Sequence, residues 1–427
     1  MLKINYMSTL FVGIDVSSKS NVVCAIDFYK NYLLKTTVSN NRPGTFELID
    51  QLASIMQKHT DLNTIIIALE STSVYSIHIA NYLSSSEDLM PYNPYVYCLN
   101  PKMTANYRKS FIGMNKTDFL DAYILADFAR VGRIESDPWR GSQFLTLKRL
   151  TRHRLHLVDS LTREKTYMVT NIYLKFSELQ VLPKEERPFS NNYGATSSSV
   201  LTEFFSSEDI LNTETEELIL FLREKSKNRI ENPMQTAKIL KKAARDSYRL
   251  DECSYEPLNI AIASSFNLVN AYKKEIKVID GAIEKAIAGI NPNAYIILQS
   301  IPGIGPVFAA GILAEIGDIS AFKSQDELAK YAGLVWTKNQ SGEFESENSR
   351  MSKAGNRYLR YYLVETANSV RRHAPEYRDY YYKKHNEVPK HKHKRALALT
   401  ARKLVRLIFG LLTKEQLYST DKVKASS

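Results

Sequence analysis

Cysteine is scarce in this chain: three in 427 residues, at Cys24, Cys98 and Cys253. They form neither a CxxC pair nor an even-numbered framework. That excludes a disulfide scaffold, argues against a zinc site and fits a reducing cytoplasm. His373, His385, His391 and His393 lack HExxH or finger-type spacing, so they read as solvated or facing a nucleic acid rather than holding a metal. No apolar run reaches the ~18 residues needed to cross a bilayer, which excludes a membrane partner of that kind. Internal repeats and low-complexity tracts are also missing. The start, MLKINYMSTLFVGID, carries a lysine and a short apolar patch but no cleavage-site pattern, and reads as mature protein.

What is present is ample core and a lopsided charge. With 44% hydrophobic residues over 427 positions, the chain can bury at least two cores. The net charge is +11, and between Arg350 and Lys403 there are 15 Lys/Arg against 4 Asp/Glu. That stretch alone accounts for the whole excess, so a polyanion is drawn to one part of the sequence. The bland alternative is a solvated basic helical face.

The first third alternates strand-like and helix-like patterns. LFVGIDVSS, NVVCAID, YLLKTTVS, NTIIIALE and YVYCLN read as strands; PGTFELIDQLASIMQKH, VYSIHIANYLSS and TDFLDAYILADFARVG read as helices. Together they predict a mixed α/β sheet. Two long heptad-like stretches follow, near Ser142–Phe176 and Leu258–Ile290, which predict an antiparallel helical arm or an oligomerising coiled coil. Between them Pro183–Glu216 is rich in Ser, Asn, Thr and Glu, and reads as a loop or mobile insertion. In QSIPGIGPVFAAGILAEIG, Gly303 and Gly305 sit between two apolar helical stretches, the layout of a helix–hairpin–helix whose backbone N–H groups can approach a phosphate.

Four acids carry the first chemical signal. Asp15 interrupts the apolar strand VGIDV, and Glu70 closes the apolar run IIIALE. A carboxylate in such surroundings is costly unless a cation or donor offsets it. Asp118 and Asp121, three apart in KTDFLDA, emerge on one helix face. Converging, the four offer the hard oxygen ligands that one or two Mg²⁺ ions prefer, with Mn²⁺ able to substitute. Asp118 alone is equally explained as an acid at a helix start. The second signal is Ser341, in a polar loop ahead of a basic helix that starts near Lys353 or Asn356, with Arg350, Lys353, Arg357 and Arg360 close by in sequence. Those cations can contact phosphate or stabilise a charged transition state. On chemistry alone Ser346, Ser349 and Ser352 are equally available. The basic and aromatic run RRHAPEYRDYYYKKHNEVPKHKHKRALALTARK adds phosphate contacts and stacking platforms.

Taken together, FVGIDVSSKSNVV, ALESTSVY, NKTDFLDAYILADFAR, the IPGIGP segment, AGLV, QSG and SKAGNRYLRYYLVETA resemble the DEDD-type insertion-sequence transposases, relatives of pilin-gene inverting and bridge-RNA-guided recombinases. The resemblance covers about half the chain in several ordered motifs. It implies an α/β RNase H/RuvC-like N-terminal domain over residues 1–135 and a helical coiled-coil connector over 136–295 with a mobile insertion at about 181–216. It further implies a mainly α C-terminal transposase domain over 296–415, with a helix–hairpin–helix-like element, and a tail over 416–427. The implied catalytic set is Asp15, Glu70, Asp118, Asp121 and Ser341, the serine forming a covalent phosphodiester intermediate. The implied partners are double-stranded donor and target DNA, a structured noncoding guide RNA and further copies of the chain in a homodimer or homotetramer. The implied setting is the cytoplasm, at the nucleoid of a bacterium or archaeon. Trp336 replaces a proline common after AGLV, and a single QSG replaces paired serines and glycines. Two rival expectations remain: a RuvC-like metal-dependent nuclease or junction resolvase without serine catalysis, and a nucleic-acid-binding protein without catalysis.

Overall fold

A computed structural model describes residues 4–71, 74–99, 101–111, 117–134, 138–139, 142–336, 340–341, 344–345 and 351–419. By their internal packing they divide into two compact units. One comprises Met1–Thr146, Leu313–Ala367 and Glu376–Ser427; the other comprises Leu147–Ile312 and Asn368–Pro375.

The first unit opens with β1 (Thr9–Val16), β2 (Ser20–Ile26) and β3 (Tyr32–Ser39), then α1 (Arg42–Lys58), β4 (Thr64–Glu70), α2 (Ser76–Ser84), β5 (Pro94–Leu99), α3 (Pro101–Arg108) and α4 (Asp118–Arg130). The sheet order is β3-β2-β1-β4-β5. The first three strands run antiparallel, and β4 and β5 join β1 in parallel. Strands β1 and β4 are central and covered on both faces, which is why their sequences are nearly continuous apolar runs. Leu10, Val12 and Ile14 pack on one side with Leu48, Leu52, Ile79 and Leu83 of α1 and α2. Phe11, Ile66 and Ala68 pack on the other with Ala122, Leu125 and Ala126 of α4. The mixed α/β expectation holds for these five strands. Helix α3 escaped the sequence reading because PKMTANYR has no apolar period.

The second unit holds the long α5 (Ser142–Lys175), then α6 (Ser177–Val181), α7 (Ala195–Glu203), α8 (Ser207–Asn212), α9 (Thr215–Ser226), α10 (Pro233–Asp246) and the long α11 (Glu252–Ala288). Two polar rungs fix how α5 and α11 meet. Arg154 Nε donates to Asp280 Oδ1 at 2.5 Å, and Lys175 Nζ donates to Asn259 Oδ1 at 2.5 Å. The step between rungs is 21 residues forward on α5 and 21 backward on α11, three heptads each. The pair is therefore antiparallel with a coiled-coil period. Buried Leu147, Thr151, Met168 and Ile172 fall opposite Ile287, Ile283, Phe266 and Ile262 in that register.

The segment read as a loop, 183–216, instead contains α7 and α8. Its polar composition conceals a capping box: Ser206 Oγ accepts from Asp209 N at 3.3 Å, while Asp209 Oδ2 accepts from Ser206 N at 2.9 Å. Buried Val200, Leu201 and Ile210 join the core formed with Phe176, Leu218, Leu240 and Phe266.

The remaining elements are α12 (Pro292–Gln299), α13 (Pro306–Ile316), α14 (Gln325–Ala332), β6 (Gln340–Ser341), β7 (Phe344–Glu345), α15 (Arg357–His373), α16 (Pro375–Asn386) and α17 (Lys392–Lys414). This end of the chain is mainly helical, as expected. No helix among the described residues is long and apolar enough to cross a membrane.

Candidate active site

Strand register places the first two acids. Ile14 of β1 lies opposite Leu69 of β4, so Asp15 and Glu70 are the next residues on adjacent parallel strands. They lie about 5 Å apart between backbones, on the same face. That face is the one covered by α4, because Phe11 and Gly13 alternate with Val12 and Ile14.

Helix α4 brings the other two. It lies directly on Gly13, where a Cβ would fall 1.9 Å from the Ala122 carbonyl oxygen and 2.4 Å from Ala126 N. Just beyond the helix's far end, a Cβ at Gly132 would lie 3.4 Å from the Tyr6 hydroxyl, ahead of β1. Helix and strand therefore run in opposite directions. From Gly13 to Asp15 the strand advances about 6.6 Å, and from Ala122 back to Asp118 the helix advances about 6 Å. The first turn of α4, with Asp118 and Asp121, thus reaches the same end of the sheet as Asp15 and Glu70. Thr117 caps that turn, its Oγ1 accepting from Leu120 N at 3.2 Å. Asp118 is exposed; Asp15, Glu70 and Asp121 are half-buried.

Sequence reasoning missed the residues that meet these acids. Thr104 of α3 donates to Glu70 Oε1 at 3.0 Å. Arg108, one turn later, forms an ion pair with Asp121. Between them Tyr107 donates to Asp127 Oδ2 at 2.7 Å, and Asp127, only 3% exposed, also accepts from Arg130 Nε at 2.8 Å. Burial and the Asp127 carboxylate push the Tyr107 hydroxyl above its usual pKa. No three acidic, histidine or cysteine side chains close into a metal cluster among the described residues. Nonetheless the donor chemistry fits a divalent cation: four hard carboxylates share one end of a sheet, and Asp121 already attracts a positive group. The thiols contribute nothing here. Burial pushes Cys24 up to about 12 and Cys98 up to about 11.

Ser341 belongs to β6 and pairs with Phe344 of β7. The base of this excursion is closed by Ser352 N donating to Val335 O at 2.8 Å and by a bridge between Trp336 and Met351. Arg350, Ser346 and Ser349 lie outside the described residues, as does the side chain of Ser341. Ser352 serves a turn, its Oγ accepting from Ala354 N at 3.2 Å.

Beyond the serine, the backbone is pinned. Asn356 Oδ1 accepts from Tyr358 N and Leu359 N, at 2.9 and 3.1 Å, and caps α15; its Nδ2 donates to Glu315 Oε2 at 2.8 Å. Gly333 and Gly355 adopt φ of +69° and +136° there, and a Cβ on Gly355 would meet the Tyr331 carbonyl oxygen at 2.4 Å. Arg360, expected at phosphate, spends its guanidinium on the carbonyls of Ala332 and Lys353, both at 3.0 Å. Burial lowers its pKa. Lys353 and Arg357 are exposed, the latter stacked over Tyr358.

In the hairpin between α12 and α13, Gly303 has φ of +93° and faces protein. A Cβ there would lie 3.0 Å from Val370 Cα of α15. Gly305 faces open space. Many cations of the basic run are internally engaged: Lys403 contacts Glu376 at 2.5 Å, Arg395 contacts Glu387 at 3.1 Å, and Arg402 pairs with Asp326.

Residues 12–172, which span the sheet, α3, α4 and most of α5, match the transposase family model for DEDD proteins of IS110 type, and residues 295–382 match "Transposase IS116/IS110/IS902 family". The chain belongs to the IS110 family of DEDD transposases. This IS110-family member is 25% identical over 412 residues to the "Insertion element IS116 uncharacterized 44.8 kDa protein" of Streptomyces clavuligerus, covering 96% of each chain. It is 26% identical over 414 residues to the IS900 42 kDa protein of Mycobacterium paratuberculosis, covering 96% of this chain and 97% of that one. It is also similar to the pilin gene-inverting protein of Moraxella bovis, at 29% over 173 residues, 40% of this chain and 49% of that one. The transposase is thus an insertion-sequence enzyme that acts on DNA, of a family that uses divalent metal ions.

Proposed function

We propose that this transposase cuts and rejoins DNA through a covalent bond to Ser341, with Asp15, Glu70, Asp118 and Asp121 holding one or two Mg²⁺ ions. The observation that carries the reading is the meeting of β1, β4 and the first turn of α4 at one end and one face of the sheet. The sheet order, with its antiparallel and parallel halves, supports an RNase H/RuvC-like N-terminal domain. When bound, the cation supplies positive charge and Lewis acidity at phosphate oxygens.

The chain's own residues do the rest. Ser341 Oγ bonds to phosphorus, one P–O ester bond to deoxyribose breaks, and the released deoxyribose hydroxyl takes a proton as the serine gives one up. Attack by a deoxyribose hydroxyl of another DNA end reverses the step and restores the serine. The number of phosphodiesters is conserved without a nucleotide cofactor. Exposed Lys353 and Arg357 provide cations close to the serine in sequence. Gly305 remains open for a phosphate. A structured noncoding RNA would choose donor and target, and further copies of the chain would assemble through the coiled-coil arm, at the nucleoid.

The test incubates the full chain with its own element ends and native RNA, then looks for a protein–DNA adduct. Ser341→Ala is expected to abolish the adduct, and Asp15→Ala to reduce cleavage about a thousandfold or more. Full cleavage by Ser341→Ala with none by Asp15→Ala would instead assign a metal-dependent nuclease or junction resolvase. Recombination by RNA-free protein would remove the guide.

A further inference from the structure

Helix α3 presents Thr104, Tyr107 and Arg108 on one face, and each engages a different carboxylate. The three engagements are not equivalent. Tyr107 is fixed by Asp127, which is buried and also held by Arg130. The Arg108–Asp121 pair is more open, with side chains 30% and 20% exposed. Two of the three carboxylates, those of Glu70 and Asp121, belong to the acidic set; the third is the anchor. A divalent cation on Asp121 would stand within a few ångströms of the guanidinium, and like charges at that range repel strongly.

We infer that Arg108 is a built-in countercation of the acidic centre, holding Asp121 in the metal-free protein and yielding it when a divalent ion binds. The inference rests on the acidic-centre reading above. Tyr107 keeps α3 in place during the exchange, so only the Arg108 side chain needs to leave. Its long stem lets the head reach solvent or a phosphate without moving the helix. Arg108 is thus a positioning residue that sets the affinity of the centre for a divalent cation.

The experiment is a titration of full-length protein with Mn²⁺, reading free Mn²⁺ by electron paramagnetic resonance without DNA. Arg108→Gln is expected to bind Mn²⁺ on the order of tenfold more tightly than the unaltered chain, the effect of removing a neighbouring like charge. Arg108→Lys keeps the charge and is expected to stay close to the unaltered chain. In an Asp121→Asn background the Arg108→Gln gain is expected to vanish. Unchanged or weaker Mn²⁺ binding by a folded Arg108→Gln variant, judged by circular dichroism, would overturn the inference. If Asp15→Asn and Glu70→Gln still weaken binding in that case, the acidic-centre reading stands while the countercation role falls. Absence of Mn²⁺ binding in both the unaltered and the Arg108→Gln chains would overturn both.

Discussion

The helical arm and the acid-bearing end of the sheet each hold one conspicuous cation, and the two cations are used differently. Lys175 in α5 is 1% exposed, and its ammonium donates to Leu201 O at 2.8 Å, Phe204 O at 2.6 Å and Asn259 Oδ1 at 2.5 Å. All three donors are satisfied by neutral acceptors, so the group is locked and structural. Arg108 is half-buried and sits on an ionisable partner that a stronger cation could claim. A buried cation with every hydrogen bond made tells of packing; the more open Arg108 pair is the one the inference above assigns to exchange.

Four substitutions sharpen that contrast. The largest effect is expected at Gly13, where any side chain drives α4 off β1. Gly13→Ala should cost about 3 kcal/mol, the upper end for overpacking, and should separate Asp118 and Asp121 from Asp15. Denaturant unfolding and the Mn²⁺ titration would both register it. Retention of normal stability and metal affinity would contradict the placement of α4.

The Lys175 prediction is next. Burial lowers its pKa to about 8 from the ordinary 10.5. Between those values the unfolded chain binds a proton that the native arm lacks, so stability should rise as pH climbs through the window. The rise attributable to this group is about 3 kcal/mol at most. Lys175→Met should remove that part of the pH dependence, and at pH 7 should lose about 2 kcal/mol through three unmet acceptors offset by the relieved charge. Chemical denaturation of both proteins from pH 7 to pH 10.5 checks both statements.

The smallest effect is expected at Arg360. Arg360→Met gives up two hydrogen bonds to backbone carbonyls at the start of α15, about 1 kcal/mol given its partial exposure. DNA affinity at fixed salt should barely change, whereas Arg357→Ala should weaken it. A large loss of DNA affinity in Arg360→Met would return that side chain to the phosphate.

Much of the sheet domain was legible because burial leaves a strong imprint. Asp15 and Glu70 stand out where a carboxylate interrupts an apolar strand, and such strands are apolar because both faces are covered. The arm was legible from its heptads. Segment 183–216 was misread because composition outweighed the Ser206–Asp209 capping signal, which is present in the sequence. A glycine turn and a cation look the same in sequence whether they meet a ligand or a neighbouring segment, and only the structure shows Gly303 against α15 and Arg360 on the carbonyls of Ala332 and Lys353.

By itself the sequence determined the five strands of the sheet, the two long helices, the four acids as candidates and the membership implied by its ordered motifs. Those features depend on local periodicity and on the cost of burying charge, which each segment carries alone. Only the tertiary structure decided which groups face those acids. Thr104 and Arg108 lie 34 and 13 residues from Glu70 and Asp121, on a helix with no apolar signature. They meet those acids because tertiary contacts, the Tyr107–Asp127 hydrogen bond among them, hold that helix beside α4.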